Sequence, residues 1–166
     1  MNNWSSLAGR AVRGRRYVRR PGDALLALRI LAFATATPLL VRLAPTRLAR
    51  LLEPRRPASA PDQDAVDRVA AYVDKVLAAG RPLAPRGCLA RGLTLYYFLR
   101  RTGLAISLCF GMGLIDGEHV GHCWLVKSGE PFLERQDPRT AFAEVMRFPL
   151  GVPAVSSLPH AGVPRG

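Results

Sequence analysis

The sequence predicts an α+β fold in which helices come first and a small antiparallel sheet follows. Apolar residues recur at helical spacing as far as about residue 102, and the later segments are rich in β-branched and aromatic residues separated by Gly-containing turns. The 166 residues are enough for one core, and a hydrophobic share of 49% is ordinary for a folded protein. We expect a basic helical extension over residues 1–60 that packs on the core, a core over 61–150 and a Pro/Gly-rich tail over 151–166.

The N-terminal extension combines clustered arginines with an apolar segment. Residues 25–52 are predicted to form two helices, which separate near Ala44-Pro45 and pack on the core. The formal net charge of the chain is +12. The arginines that precede the helices are Arg10, Arg13, Arg15, Arg16, Arg19 and Arg20.

The apolar segment is not predicted to span a membrane. Arg29 interrupts it, Pro38 bends it, and its uninterrupted run of Ile30–Val41 has twelve residues, whereas about twenty are needed to cross a bilayer. It also lacks the small-residue cleavage site of a secretory signal. A helix lying on the membrane surface stays open, because the arginines that follow suit either a solvated face or anionic lipid. These are Arg42, Arg47 and Arg50.

Two helices and a strand are predicted next along the chain. The first helix begins at Asp62 or Asp64 and ends at Gly80, with valines at helical spacing between them. The second helix covers residues 87–102, and a strand over residues 104–111 follows it. We expect both helices to bury their apolar faces in the core.

Cys88 lies in the first turn of that second helix. A thiol there feels the positive end of the helix dipole and unsatisfied backbone N–H groups, which favour the thiolate and can hold a tetrahedral oxyanion. The position therefore predicts the nucleophile of a hydrolase or acyltransferase. The alternative is a buried cysteine that packs as a small apolar residue.

A histidine on a predicted strand could serve as the base for Cys88. Of the three histidines, His160 lies in the Pro/Gly-rich tail and His119 at the entrance of the strand, beside a turn signal. Strand alternation places His122 on one face with Trp124 and Val126. We predict His122 as the general base and His119 as an ordinary loop residue.

The orienting acid depends on the length of the hairpin loop that contains Ser128-Gly129. A three-residue loop pairs Val126 with Glu130, and therefore places Glu134 opposite His122. A two-residue turn instead places Arg135 opposite His122 and leaves Asp137 as the diagonal acid. We predict the longer loop and Glu134, with Asp137 as the alternative. A carboxylate there would fix the imidazole tautomer and stabilise the imidazolium.

These motifs together resemble the lasso-peptide biosynthesis B2 proteins, a family of the transglutaminase-like superfamily. The resemblance covers residues 88–142 and rests on CLARGLTLYYFLRRTG, GHCWLV and GEPFLE, which carry a CLxR motif, an HxW motif and an acid twelve positions after the histidine. It implies a papain-like or transglutaminase-like core with Cys88 as nucleophile, His122 as base and Glu134 as acid. The family usually has Asp at the position of Glu134.

The resemblance also implies a function and partners. Family members are cysteine peptidases that remove the leader from a ribosomally made precursor, so that a separate asparagine-synthetase-like cyclase can close the core peptide into a macrolactam. A separate leader-recognition protein of winged-helix type is expected, because the residues before Cys88 offer no β-rich segment for such a domain. The alternative is a non-catalytic scaffold for precursor and cyclase, which could be membrane-associated. No directly bound cofactor is expected, and no phosphate-binding loop for ATP is found.

Composition argues against two other classes of function. Aromatic residues are few and no nucleic-acid-binding motif is present, so the basic charge alone does not predict nucleic-acid binding. A metal site is not expected, because no CxxC pair exists and His122 and Cys123 point to opposite faces of a strand. Three cysteines fit free thiols in the cytoplasm, with Cys109 and Cys123 in the sheet core. We expect a cytoplasmic protein. If the helix that could lie on a membrane surface binds lipid, the protein would be peripheral to the inner face of the membrane.

Overall fold

A computed structural model describes residues 22–54, 60–80 and 87–151. In these residues four helices precede a four-stranded antiparallel sheet, which confirms the α+β fold. The helices are α1 (Asp23–Leu40), α2 (Pro45–Leu52), α3 (Gln63–Ala79) and α4 (Cys88–Arg101). The strands are β1 (Ser107–Ile115), β2 (Glu118–Lys127), β3 (Glu130–Phe132) and β4 (Ala143–Phe148), with a 3-10 turn at Pro138–Thr140 before β4. The arginines of residues 10–20, the loop over 81–86 and His160 lie outside the described residues.

Two predicted helix boundaries are confirmed. Asp62 is the N-cap of α3, and its side chain accepts a hydrogen bond of 3.1 Å from the Ala65 N–H. α2 begins at Pro45, directly after Ala44, and proline is well suited to the first helical position because no intrahelical partner exists for an N–H there.

The helices pack together on one face of the sheet. A large buried cluster joins residues of all four helices to that face, among them Ile30, Leu52, Val73, Leu93, Leu108, Leu125 and Phe148. Therefore α1 and α2 contribute to the same core as α3 and α4. The predicted domain boundaries near residues 60 and 150 stay predictions. On the opposite face of the sheet a smaller cluster contains Cys109, Trp124, Val126 and Phe142.

The strands are ordered β3-β2-β1-β4, so β1 and β2 form the centre of the sheet. β4, which was not predicted from the sequence, pairs with β1 through a register shift at Phe110/Gly111. β1 begins at Ser107 and continues to Ile115, later than the predicted strand over residues 104–111.

The predicted hairpin register between β2 and β3 is wrong. Lys127 pairs with Glu130, so the connection is the two-residue turn Ser128-Gly129 rather than a three-residue loop. Both turn residues have positive φ, at 52° and 86°, as a type I′ hairpin turn requires. The β2–β3 ladder ends at Phe132, and Leu133 has a φ of 60°. The chain therefore turns away from β2 before Glu134, and neither pairing considered for His122 forms.

Gly92 permits the close approach of α4 to β2. A Cβ atom at this position would lie 2.8 Å from Cys123 Sγ and 3.2 Å from Leu108 Cδ1. Only a residue without a side chain fits such a contact, and Gly92 stands one turn after Cys88 on the same helix face. The glycine thus brings the first turn of α4 against the histidine-bearing strand.

Candidate active site

Cys88 is the first residue of α4, behind Gly87, whose φ of 126° directs the chain into the helix. The thiol is half-buried. Its pKa is lowered to about 4, because the Cys123 side chain donates a hydrogen bond to Cys88 Sγ and outweighs the opposing effect of burial. His122 and the Cys123 backbone N–H donate further hydrogen bonds, and the charge of His122 adds to them. Cys88 is therefore a thiolate near neutral pH.

The position of Cys88 beside the edge of β2 brings His122 and Cys123 to one sulfur. β3 pairs only with Leu125–Lys127 of β2, so the edge of β2 is unpaired at Cys123. There the backbone N–H donates a hydrogen bond to Cys88. His122 and Cys123 alternate between the two faces of the strand. A sulfur at the edge can contact side chains from both faces, whereas a sulfur above one face could not.

His122 lies between aromatic rings on the face of the sheet away from the helices. Its ring stacks with that of Trp124 at 6.1 Å between centroids, and it lies 4.9 Å from the ring of Phe142. Burial by itself would lower the pKa of His122, but the hydrogen bond to Cys88 and the charges of Cys88 and Glu134 raise it overall. The geometry therefore favours a thiolate–imidazolium pair.

Glu134 joins the site although the register that predicted it is wrong. It follows Leu133, where the chain leaves β3, and only 18% of its side chain is exposed. Burial raises the pKa of Glu134, while the positive charges of Arg91 and His122 oppose the shift. The carboxylate in turn favours the protonated form of His122 through its charge.

Arg91 connects three elements next to the site. Its guanidinium donates two hydrogen bonds to Asp74 of α3, at 2.8 and 3.4 Å, and one to the Leu133 carbonyl at 3.4 Å. Arg91 Nη1 also lies 3.7 Å from Glu134 Oε1. Arg91 is the arginine of the CLxR motif, to which no role was assigned from the sequence. Its position three residues after Cys88, on the neighbouring part of the helix surface, was the available signal.

Asp137 and His119 lie apart from these groups. Asp137 caps the 3-10 turn, and its carboxylate accepts hydrogen bonds from the Arg139 N–H and guanidinium at 2.6 to 3.0 Å. Arg139 thereby lowers the pKa of Asp137. His119 is exposed near the start of β2. Glu134, rather than Asp137, is therefore the carboxylate whose charge acts on His122.

The two other cysteines are buried, as predicted, but only one of them is remote from Cys88. Burial raises the pKa of Cys109 to about 12. The hydrogen bond that Cys123 donates to Cys88, together with burial, raises the pKa of Cys123 and keeps it a thiol. This contact was not predicted, since strand alternation alone placed Cys123 on the face away from His122. Among the described residues, no group of three or more His, Cys, Asp or Glu side chains could hold a metal ion.

Comparison with known proteins identifies the family. The chain matches the sequence model of the transglutaminase-like superfamily over residues 27–147, which include α2, α3 and α4, most of α1, and the strands up to β4. Separate comparisons with curated proteins and with solved structures gave no match. The family match covers well over half of the 166 residues, and the helix-then-sheet architecture agrees with it. The chain therefore belongs to the transglutaminase-like superfamily.

Proposed function

We propose that this protein is a cysteine peptidase that removes the leader peptide from a lasso precursor. The observation that carries the proposal is the Cys88 thiolate at the start of α4, which accepts hydrogen bonds from both His122 and Cys123. Members of the superfamily are commonly cysteine peptidases or transglutaminases. The choice of a lasso precursor rests on the resemblance of the Cys88, His122 and Glu134 motifs to the lasso-peptide B2 proteins.

In the proposed reaction Cys88 Sγ attacks the scissile carbonyl carbon. Backbone N–H groups in the first turn of α4 stabilise the oxyanion of the tetrahedral intermediate. The His122 imidazolium gives its proton to the departing amine, and the C–N bond breaks to leave an acyl-thioester. Water, deprotonated by His122, then hydrolyses the thioester and restores the thiolate–imidazolium pair.

Glu134 is the proposed orienting acid. Its charge favours the imidazolium of His122, which must persist until the proton passes to the leaving amine. Glu134 has a longer side chain than the Asp that is usual in the lasso family. The extra length suits its position, because the backbone turns away from β2 at Leu133.

The proposed partners follow from the same assignment. The substrate is a leader–core precursor, presented by a separate winged-helix recognition protein in the cytoplasm. The departing amine becomes the new N-terminus of the core peptide, which a partner cyclase closes into a macrolactam. The residues assigned to the peptidase step need no bound cofactor, because thiolate, imidazole and carboxylate supply its nucleophile and its acid–base groups.

The test is cleavage of the precursor encoded in the same gene neighbourhood, with and without the recognition protein, read as peptide masses. Wild type should release the intact leader, and Cys88→Ala should release none while still binding the recognition protein. His122→Ala should slow cleavage by about 10²–10⁴-fold, whereas His119→Ala is the matched control and should cleave normally. Cleavage by Cys88→Ala would contradict the nucleophile. If the precursor matures without the thiol, the protein is instead a scaffold.

A further inference from the structure

The outer surface of α1 is apolar except at Arg29, which is exposed within it. Exposed residues recur at helical spacing on the side away from the core, and Leu28 and Leu39 have 62% and 65% of their surface exposed. Leu25 and Ala32 belong to the same stripe. A folded soluble domain rarely exposes a contiguous apolar helix face without a partner for it.

This stripe contains little that requires water. Thr35 donates its hydroxyl to the Ala32 carbonyl at 2.9 Å, so its polar group is satisfied within the helix. The one acidic residue of α1, Asp23, is buried, and Arg29 is the one basic residue. By length and composition α1 could cross a membrane, although such helices also occur in soluble cores and signal sequences.

The contacts of the inner face of α1 favour a helix that lies on a membrane surface over one that crosses the bilayer. Ile30, Ala34 and Thr37 are buried against the domain, and the Phe33 ring stacks on that of Tyr97 of α4 at 4.3 Å between centroids. Crossing a bilayer would break these contacts with the core. A helix lying flat can keep them and still present its outer leucines to the lipid boundary.

Exposed apolar residues continue along the chain beyond α1, together with positive charge. Val41, Leu43 and Leu51 are exposed large apolar residues. Three exposed arginines lie among them, namely Arg42, Arg47 and Arg50. Over residues 22–52 Asp23 is the only acidic residue, and it is buried. The sequence just before α1 adds the six arginines of residues 10–20. Exposed leucines therefore lie among arginines, and residues 22–52 expose no carboxylate. This composition complements an anionic lipid surface better than it complements the surface of a protein with mixed charge.

We propose that the α1–α2 surface, formed by Leu25, Leu28, Leu39, Leu43, Leu51 and the exposed arginines among them, docks the protein on an anionic lipid bilayer. The leucines enter the boundary between headgroups and acyl chains, and the arginines bind lipid phosphate groups. The apolar area buried in the bilayer and the attraction to anionic lipid both add to the strength of such binding. The docking is independent of the peptidase proposal, because none of these residues contributes to the Cys88 site.

The test is co-sedimentation of the full chain with vesicles of phosphatidylcholine alone and of phosphatidylcholine with phosphatidylglycerol. Wild type should bind the anionic vesicles at least about tenfold more strongly, and added salt should weaken binding because it screens the arginines. Leu28→Glu and Leu39→Glu should each abolish binding. Leu114→Glu is the matched control, because Leu114 is also 65% exposed but lies on β1, and it should bind normally.

Three outcomes would overturn the proposal. The first is wild type that binds neither vesicle. The second is Leu114→Glu that loses as much binding as Leu39→Glu, since charge alone would then explain the effect. The third is a wild-type dimer, by light scattering, that Leu28→Glu converts to a monomer, which would assign the surface to a second copy of the chain. Circular dichroism would verify that each variant is folded, and cleavage of soluble precursor without lipid should be unchanged.

Discussion

At the scale of single residues, the reactivity of Cys88 depends on its hydrogen-bond donors. The Cys123 thiol, the Cys123 N–H and the His122 imidazole all donate to Cys88 Sγ, and together they outweigh the burial that favours the neutral thiol. Charge-assisted hydrogen bonds of this kind are stronger than neutral ones. Each donor is therefore expected to alter the pH at which the thiolate forms.

We predict that alkylation of Cys88 by iodoacetamide stays fast from about pH 7 to about pH 5. The rate should fall as the pH approaches the pKa of about 4, because protonation then removes the thiolate. Cys109 should react far more slowly, since burial raises its pKa to about 12. Mass spectrometry of peptides containing each cysteine measures both rates. A Cys88 rate that falls already below pH 8 would contradict the predicted thiolate.

Replacement of Cys123 distinguishes the effect of its side-chain hydrogen bond to Cys88 from that of its backbone hydrogen bond. Cys123→Ala removes the largest contribution that lowers the pKa of Cys88 and leaves the backbone N–H in place. The acid limb of Cys88 alkylation should therefore move to higher pH. Cys123→Ser, whose hydroxyl can donate in the same direction, should restore most of the wild-type profile. Identical profiles for Ala and wild type would show that the thiol is not a donor.

Arg91 is predicted to set the pH range of cleavage. Its charge lowers the pKa of both Glu134 and His122, while Cys88 and Asp74 raise that of Glu134. In Arg91→Gln both pKa values should rise, so Glu134 ionises at higher pH and His122 stays protonated to higher pH. Both limbs of the kcat/KM profile should therefore move upward.

Arg100 offers a matched control for this experiment. It belongs to the same helix, pairs with Glu53 at 2.7 Å, and is 22% exposed against 21% for Arg91. Arg100→Gln removes a comparable ion pair away from the site, so it should lower stability without moving the limbs of the profile. Equal shifts in the two variants would mean that Arg91 acts only through folding.

At the scale of elements, the packing of α4 on β2 sets the geometry of the site. Gly92→Ala would place a methyl group 2.8 Å from Cys123 Sγ and 3.2 Å from Leu108 Cδ1. We expect the unfolding free energy to fall by about 1–3 kcal/mol, despite a helix-propensity gain of about 1 kcal/mol. Denaturant titration would measure it. Gly121→Ala is the control for clash, since its nearest neighbour is the Met112 Sδ at 3.6 Å; an equal loss there would argue against overpacking at Gly92.

At the scale of the whole molecule, α1 and α2 are integral to the fold. Leu52 and Ile30 are fully buried in the same cluster as Leu93. Glu53, next to α2, accepts a hydrogen bond from the Tyr96 hydroxyl of α4, and the Leu52 carbonyl accepts one from Arg101 at 2.9 Å. These contacts join residues of the predicted N-terminal extension to α4.

Removal of residues 1–60 therefore tests the predicted boundary near residue 60. The remaining fragment would lose the partners of Tyr96 and Tyr97 on α4, which are Glu53 and the ring of Phe33, and newly exposed apolar surface opposes folding. We expect it to lose cooperative thermal unfolding, measured by circular dichroism. A fragment that unfolds cooperatively would establish the extension as a separate unit.

Much of the fold follows from local pattern. The Asp62 cap, the break at Ala44-Pro45 and the position of Cys88 at the start of α4 were all predictable, because capping and helical periodicity depend on residues close in sequence. β4 was not predicted. It is completed by pairing with β1, more than thirty residues earlier in the chain.

The sequence by itself determined the α+β order and the pair of Cys88 and His122 as the candidate reactive groups, since each is defined by its own helix or strand. Only the tertiary structure decided how the acid reaches them. The Ser128-Gly129 turn fixed a different register, yet the chain turns at Leu133, and Glu134 lies 3.7 Å from Arg91 and acts on His122 through its charge. The close packing at Gly92 likewise made Cys123 a partner of Cys88. Such contacts depend on distances between elements far apart in the chain, which periodicity and spacing do not encode.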